Sequence, residues 1–217
     1  MWEWRIFLSK KEYESLDIND LYGEKLNRTS AEIRADYYFN LQKKSLGLKE
    51  RGSRLNKNEL SYLELKVLKR KEKWGAEFWE KPIKHKLIGN TDADQGLSRR
   101  DIVKIIKGHK EGLQLPSNEF DYIISQLNDT NLKRIRVLKN RKQFSDSYSH
   151  ITQENLNLKN YYKFERTKII IENQIFHTYC FECEHIDVIK TIFENHFKSI
   201  RRGKVYGYPE FIAQFDQ

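Results

Sequence analysis

Leu46–Gly52 reads LGLKERG, and after the polar run SRLNKNELS at 53–61 the chain continues as YLELK at 62–66. The reading of this stretch decides the fold. If both halves are strands, successive side chains point to opposite faces. Lys49 and Arg51 then share one face of the first strand, and Glu64 and Lys66 share one face of the second. Leu63, Leu65 and Val67 take the other. A face so densely charged reads as the wall of a wet cavity rather than as ordinary solvent-facing surface.

The same alternation recurs on both sides of this pair. At 2–8, Trp2, Trp4, Ile6 and Leu8 oppose Glu3, Arg5 and Phe7; at 34–40, Arg34, Asp36 and Tyr38 oppose Ala35, Tyr37 and Phe39. In KEKWGAEFWEK (71–81), Glu77, Trp79 and Lys81 share a face; Pro82 is expected to stop this strand, with a loop over about 83–96. At 131–142, Arg134 and Arg136 face away from Ile135 and Val137. At 161–171, Lys163, Glu165 and Thr167 oppose Tyr162 and Phe164. At 175–185, Glu182 and Glu184 oppose Tyr179, Phe181 and Cys183. Eight candidate strands therefore carry charged fronts and apolar backs.

Helical spacing appears between them. A short candidate covers Lys10 to Leu16. Ser98 is placed to cap a helix with Ile102, Val103, Ile105 and Ile106 as its buried stripe and Gly108 as its stop. A second begins at Ser117 with Phe120, Ile123, Ile124 and Leu127 on one face, and a third runs from an Asp187 cap to His196.

Length and composition bound the reading. The 217 residues suit a single domain over 1–217. Their aromatic content of 13% argues for a folded chain despite 33% charged residues. The net charge of +9 favours an anionic partner. No apolar run approaches the ~20 residues that span a bilayer, and MWEWRIFLSKK lacks the pattern of a signal peptide, so a cytoplasmic protein is expected. The two cysteines, Cys180 and Cys183, sit at an odd separation that turns them to opposite faces of a strand, so a structural role is expected rather than a paired zinc or redox one. Trp2, Trp4, Trp74 and Trp79 read as packing residues, and the histidines show no ligand spacing.

An antiparallel barrel with helices outside and a polar interior satisfies these patterns, and so does a flat sheet with helices on one face and charge toward water. The order of short motifs separates the two. MWEWR at 1–5, DYY at 36–38, LKER at 48–51, LELK at 63–66, KRIR at 133–136, FERT at 164–167 and FECE at 181–184 follow one another along nearly the whole chain. In that order they resemble the CYTH, or triphosphate tunnel, superfamily of inorganic triphosphatases, thiamine triphosphatases and class IV adenylyl cyclases.

The resemblance implies an α+β fold: an eight-stranded antiparallel β-barrel, or tunnel, with helices packed outside. It implies a metal-dependent hydrolase of tripolyphosphate or of a nucleoside or organic triphosphate. The alternatives within the same architecture are a non-catalytic polyanion-binding module and a cyclase-type enzyme that releases pyrophosphate. Arg5, Lys49, Arg51, Lys66, Arg134 and Arg136 would contact phosphate oxygens. Glu3, Glu64, Glu77, Glu182 and Glu184, with Glu165 as a further candidate, would hold Mg²⁺ or Mn²⁺. Glu3, Arg5, Lys66 and Glu184 form the implied catalytic set. The expected partner is a small triphosphate or inorganic polyphosphate, not nucleic acid or membrane. Two positions depart from the family's opening ExExK motif: Met1 stands where the first glutamate belongs, and Arg5 replaces the lysine. Arginine stays protonated and cannot act as a general base.

Overall fold

A computed structural model describes residues 1–16, 27–52, 61–87, 97–113, 115–147, 161–198 and 203–215. The turn expected at 53–60, residues 88–96 of the expected loop and the basic pair Arg201 and Arg202 lie outside the described residues. The strands are β1 (Trp2–Leu8), β2 (Asn27–Phe39), β3 (Leu46–Arg51), β4 (Ser61–Lys71), β5 (Glu77–Leu87), β6 (Arg134–Ser147), β7 (Tyr161–Ile171), β8 (Gln174–Cys183) and the two-residue β9 (Lys204–Val205). Helices are α1 (Lys10–Ser15), α2 (Arg99–Gly108), α3 (Ser117–Asn128), α4 (Ile186–Ile192), which runs on as a π-helical turn over Phe193–Phe197, and α5 (Tyr208–Ile212).

The sheet runs β5-β4-β3-β2-β6-β7-β8-β1, with β9 on the outer edge of β1, and β1 also pairs with β5. That last pairing closes an eight-stranded antiparallel barrel. Burial shows why closure rather than a flat sheet is the solution. All seven residues of β1 are buried, and Glu3 and Arg5 on its charged front are only 6% and 4% exposed. In an open sheet that front would face water; closure encloses it.

By its internal contacts the chain forms two compact units: residues 1–33, 69–79 and 139–207, and residues 34–68, 80–138 and 208–217. In the first unit, Trp2, Trp4 and Ile6 of β1 join Tyr162 and Phe164 of β7, Tyr179 and Phe181 of β8, Val188, Ile189 and Ile192 of α4, and Phe197 in one apolar cluster. Its aromatic rings meet at close range, Trp4 with Phe197 at 5.0 Å and Phe164 with Phe181 at 4.8 Å between centroids. The helix α4 starts at Ile186 with His185 at its cap, so Asp187 sits inside the first turn rather than capping it. Ser9 caps α1 and shares a capping box with Glu12, which explains why so short a helix forms.

In the second unit, Ile102 and Ile106 of α2 and Phe120, Ile123 and Leu127 of α3 bury against Leu46, Leu48, Leu63, Leu65, Val67 and Ile83. Each such side chain contributes about 1.5–3 kcal/mol on burial. The Ser98 cap accepts from the Asp101 N–H as its sequence position predicts. The C-terminal α5 lies on β2 and β3, with Tyr208 stacked on Tyr38 at 5.3 Å. A side chain at Gly47 would put its Cβ 2.9 Å from Cγ of Pro209, so this approach needs glycine.

One expectation is corrected: Pro82 does not stop β5, which continues to Leu87. Phe78 and Ile83 lie five positions apart yet both pack in apolar clusters, so strict alternation does not hold through Pro82. A proline is tolerated where a strand departs from the ideal ladder that would need its N–H.

Candidate functional site

The charged fronts of β2, β3 and β4 form one cluster. Tyr38 pairs with Lys49 and Lys49 with Glu64 across the strands, while Gly47 pairs with Lys66, so these side chains share a face. Glu64, 1% exposed, lies between two cations: its Oε2 is 3.3 Å from Lys49 Nζ and its Oε1 is 3.2 Å from Arg51 Nη1. Burial alone would raise the carboxyl's pKa, but the charges of Lys49, Arg51 and Lys81 overcome it and hold Glu64 at about 2. Lys49 is also 3.7 Å from Oδ2 of Asp36, whose Oδ1 is 3.1 Å from Arg34 Nε. Burial lowers the Lys49 pKa against the pull of Asp36 and Glu64, with Arg34 and Lys66 adding to the lowering. Arg34, Lys49, Arg51 and Lys66 thus gather around the carboxylates of Asp36 and Glu64.

A second cluster lies on β1, β5, β7 and β8. Glu3 pairs across the strands with Glu77 on β5 and with Glu182 on β8, and Glu182 pairs onward with Lys163. Three carboxylates therefore stand side by side across β5, β1 and β8. Like charges directly opposite each other in a sheet are destabilising. Glu3 Oε1 takes a bond from Arg5 Nε at 3.2 Å, and Glu77 is held by Lys71 Nζ at 2.8 Å and Trp79 Nε1 at 3.0 Å. Arg5 Nη1 bonds Glu165 Oε1 and Thr178 Oγ1, both at 3.2 Å. Glu165 receives a second guanidinium from Arg141 at 3.0 Å, and Arg141 also pairs with Glu32. Cys180 faces this cluster: it is wholly buried, and burial pushes its thiol well above the ordinary value while Arg5 opposes the rise. Cys183 lies on the other face, in the apolar cluster, as its odd spacing requires.

Three expected residues lie elsewhere. Arg134 points to the apolar side of β6, with Nη2 2.9 Å from Glu50 and its guanidinium 3.9 Å above the Tyr37 ring. Glu50 pairs with Leu63 of the apolar cluster, which fixes the face. Arg136, on the same side by alternation, is exposed. Glu184 is exposed beyond the end of β8. On β6 it is Lys139 and Arg141, 2% and 7% exposed, that occupy the enclosed face. The signal for them was present in NLKRIRVLKNRK, where both parities carry cations and only the one shared with Ile135 and Val137 is enclosed.

No protein-family model matches the sequence, and no curated protein does either. Solved structures do. HpAC1 from Hippeastrum, described as an adenylyl cyclase candidate with a dominant triphosphatase activity, superposes with a TM-score of 0.50 at 13% identity over 91% of this chain and 86% of its own. This chain therefore shares the fold of HpAC1. Two further structures are similar to this chain. One is a Bacillus halodurans protein described as an adenylate cyclase candidate, with a TM-score of 0.44 at 15% identity over 91% of this chain and 87% of that one. The other is PH1819 of Pyrococcus horikoshii, with 0.41 at 11% over 98% and 96%.

Part of the carboxylate row is placed where a metal ion could be held. One carboxylate oxygen from Glu3, one from Glu182 and the Cys180 sulfur lie within 4.8 Å of one another, close enough for a shared ion. Glu77, directly across from Glu3, adds a carboxylate on the side where Met1 offers none.

Proposed function

We propose that this chain is a metal-dependent hydrolase of tripolyphosphate or of a nucleoside or organic triphosphate. The observation that carries the reading is the gathering of four cations, Arg34, Lys49, Arg51 and Lys66, around Asp36 and Glu64 on β2, β3 and β4. Guanidinium forks bind phosphate oxygens two at a time, while the Lys49 and Lys66 ammonium groups act as point charges. A phosphate chain arriving beside Lys49 restores the charge that burial disfavours. The dominant triphosphatase activity named for the structurally similar HpAC1 supports hydrolysis over cyclisation.

On this reading Glu3 and Glu182, with Glu77 beside them, hold Mg²⁺ or Mn²⁺. When bound, the ion neutralises charge developing on the transferred phosphoryl group. Arg5 is the residue that differs most from the family pattern. Fixed by Glu3, Glu165 and Thr178, it orients carboxylates rather than accepting a proton. Lys49, Arg51 and Lys66 would position the phosphate chain for in-line attack by water.

The test is release of orthophosphate and pyrophosphate from tripolyphosphate, ATP and thiamine triphosphate, with Mg²⁺ or Mn²⁺. Orthophosphate release that needs the ion and collapses in Lys49→Met supports the hydrolase. Pyrophosphate with a cyclic nucleotide would instead indicate a cyclase. Tight tripolyphosphate binding with no turnover would make the chain a polyanion-binding module.

A further inference from the structure

The Mg²⁺ or Mn²⁺ reading assumes an all-oxygen site, and the enclosed thiol of Cys180 does not fit that assumption. Cys180 pairs across the sheet with Arg5 on β1 and with Glu165 on β7. It lies two residues from Glu182, hence on the same face of β8. The thiol is 0% exposed, and its surroundings are charged: Arg5, Glu3, Glu182 and Glu165 all act on it. A cysteine serving as a small apolar filler would sit among hydrocarbon, as Cys183 does beside Trp2 and Phe181. Among the described residues its sulfur has one hydrogen-bonding contact, 3.9 Å from the carbonyl oxygen of the adjacent Phe181. The Glu182 side chain makes no hydrogen bond or ion pair among the described residues.

We propose that Cys180 is a metal ligand, so that Glu3, Glu182 and the Cys180 sulfur take a borderline-soft divalent cation of the zinc or cobalt class in preference to magnesium. Magnesium is a hard ion that demands oxygen ligands in near-ideal octahedral geometry, and a sulfur in the set penalises it. A tetrahedral ion bound at about 2.3 Å to sulfur and about 2.1 Å to oxygen sets those ligands roughly 3.6 Å apart. The three atoms, all within 4.8 Å of one another, need to draw together by about an ångström at most. Three protein ligands leave the fourth position open, the arrangement of sites that act on a substrate rather than of closed structural ones.

This inference rests on the metal site proposed above, and the experiment separates the two. Purified protein is titrated with Co²⁺ while binding heat and the near-ultraviolet thiolate-to-cobalt charge-transfer band are followed. Zn²⁺ and Mg²⁺ are then used as competitors. The expected result is a band in the wild type and in Cys183→Ala, lost in Cys180→Ser and in Cys180→Ala. Zn²⁺ should displace cobalt far more readily than Mg²⁺ does. Losing a ligand should cost zinc affinity at least the 10–100-fold typical of losing a partner one shell further out. Cobalt or magnesium binding with no thiolate band in the wild type overturns the inference and leaves the oxygen-ligand reading standing. Absence of binding by any divalent ion overturns both. Because the chain has only two cysteines, the wild-type and Cys183→Ala spectra decide the matter even if the Cys180 variants fail to fold.

Discussion

Glu64→Gln tests the cation cluster at its centre. In the wild type the pKa of the Glu64 carboxyl is held at about 2, below its ordinary 4.5, by Lys49 and Arg51. A depression of that size, at 1.36 kcal/mol per unit, is worth about 3 kcal/mol of stability at neutral pH. The folded pKa lies below the unfolded one, so the unfolded chain takes up the proton first as pH falls. The contribution is therefore fully present above about 4.5 and lost progressively down to about 2. Glu64→Gln removes it at every pH and leaves two cations facing a neutral amide, a cost of about 3–5 kcal/mol for breaking a buried pair. Urea unfolding of both proteins from pH 7 down to pH ~2 gives the difference directly, and other carboxylates cancel in it. The gap between wild type and variant should be widest at pH 7 and shrink by about 3 kcal/mol across the window. Tripolyphosphate should restore much of the variant's lost stability, because a bound polyanion takes over the role of the missing carboxylate. A gap below about 0.5 kcal/mol at neutral pH, the scale of an ordinary surface substitution, would refute the reasoning, as would a gap independent of pH.

Other outcomes follow from single contacts. Lys49→Met and Lys66→Ala should weaken tripolyphosphate binding about tenfold or more, from the roughly 1.5–3 kcal/mol of a hydrogen bond to a charged group. Arg136→Ala, on the opposite face of its strand, should change that binding by less than about twofold in the same calorimetric titration. Gly75 has φ +99° in the turn between β4 and β5, and an added Cβ would strike Val205. Gly75→Ala should accordingly lower the unfolding free energy by at least about 1 kcal/mol in urea. Ser98→Ala should cost about 1 kcal/mol through loss of the α2 cap, seen as a lower thermal midpoint.

Alternation carried most of the fold because β1 and the first half of β4 divide charged from apolar residues by parity, and β3 does so apart from Glu50. A one-residue error in such strands would bury the wrong set. Enclosure of both parities, which distinguishes a barrel from a sheet, leaves no mark on a strand like WEWRIFL and had to come from the order of motifs. The clustering of side chains on one face was legible where charge occupied a single parity, as at Lys49, Arg51, Glu64 and Lys66. The facing differed on β6, where both parities carry cations: Lys139 and Arg141 take the enclosed face, and the outward Arg134 is satisfied by Glu50 and the Tyr37 ring. Pro82 misled because a missing N–H ends an ideal ladder but not a strand that departs from it. The odd separation of Cys180 and Cys183 excludes a shared site for the two thiols but says nothing of the neighbours Cys180 meets across the strands, Arg5 and Glu165.

The carboxylate row also crosses the joint at which the barrel shuts. β1 matches β8 over seven residues, from Trp2 with Cys183 to Leu8 with His177, but its register with β5 covers only Trp2 with Phe78 and Glu3 with Glu77. A seam so short, joining residues about 75 apart in sequence and carrying two like charges in register, has the makings of the last contact to form in folding and the first to open. Amide exchange at Phe78 and Trp79 should be faster than along the middle of β8. A cation lodged against Glu3 would work as a clasp on that seam, so its arrival should register as slowed exchange there before any chemistry is measured.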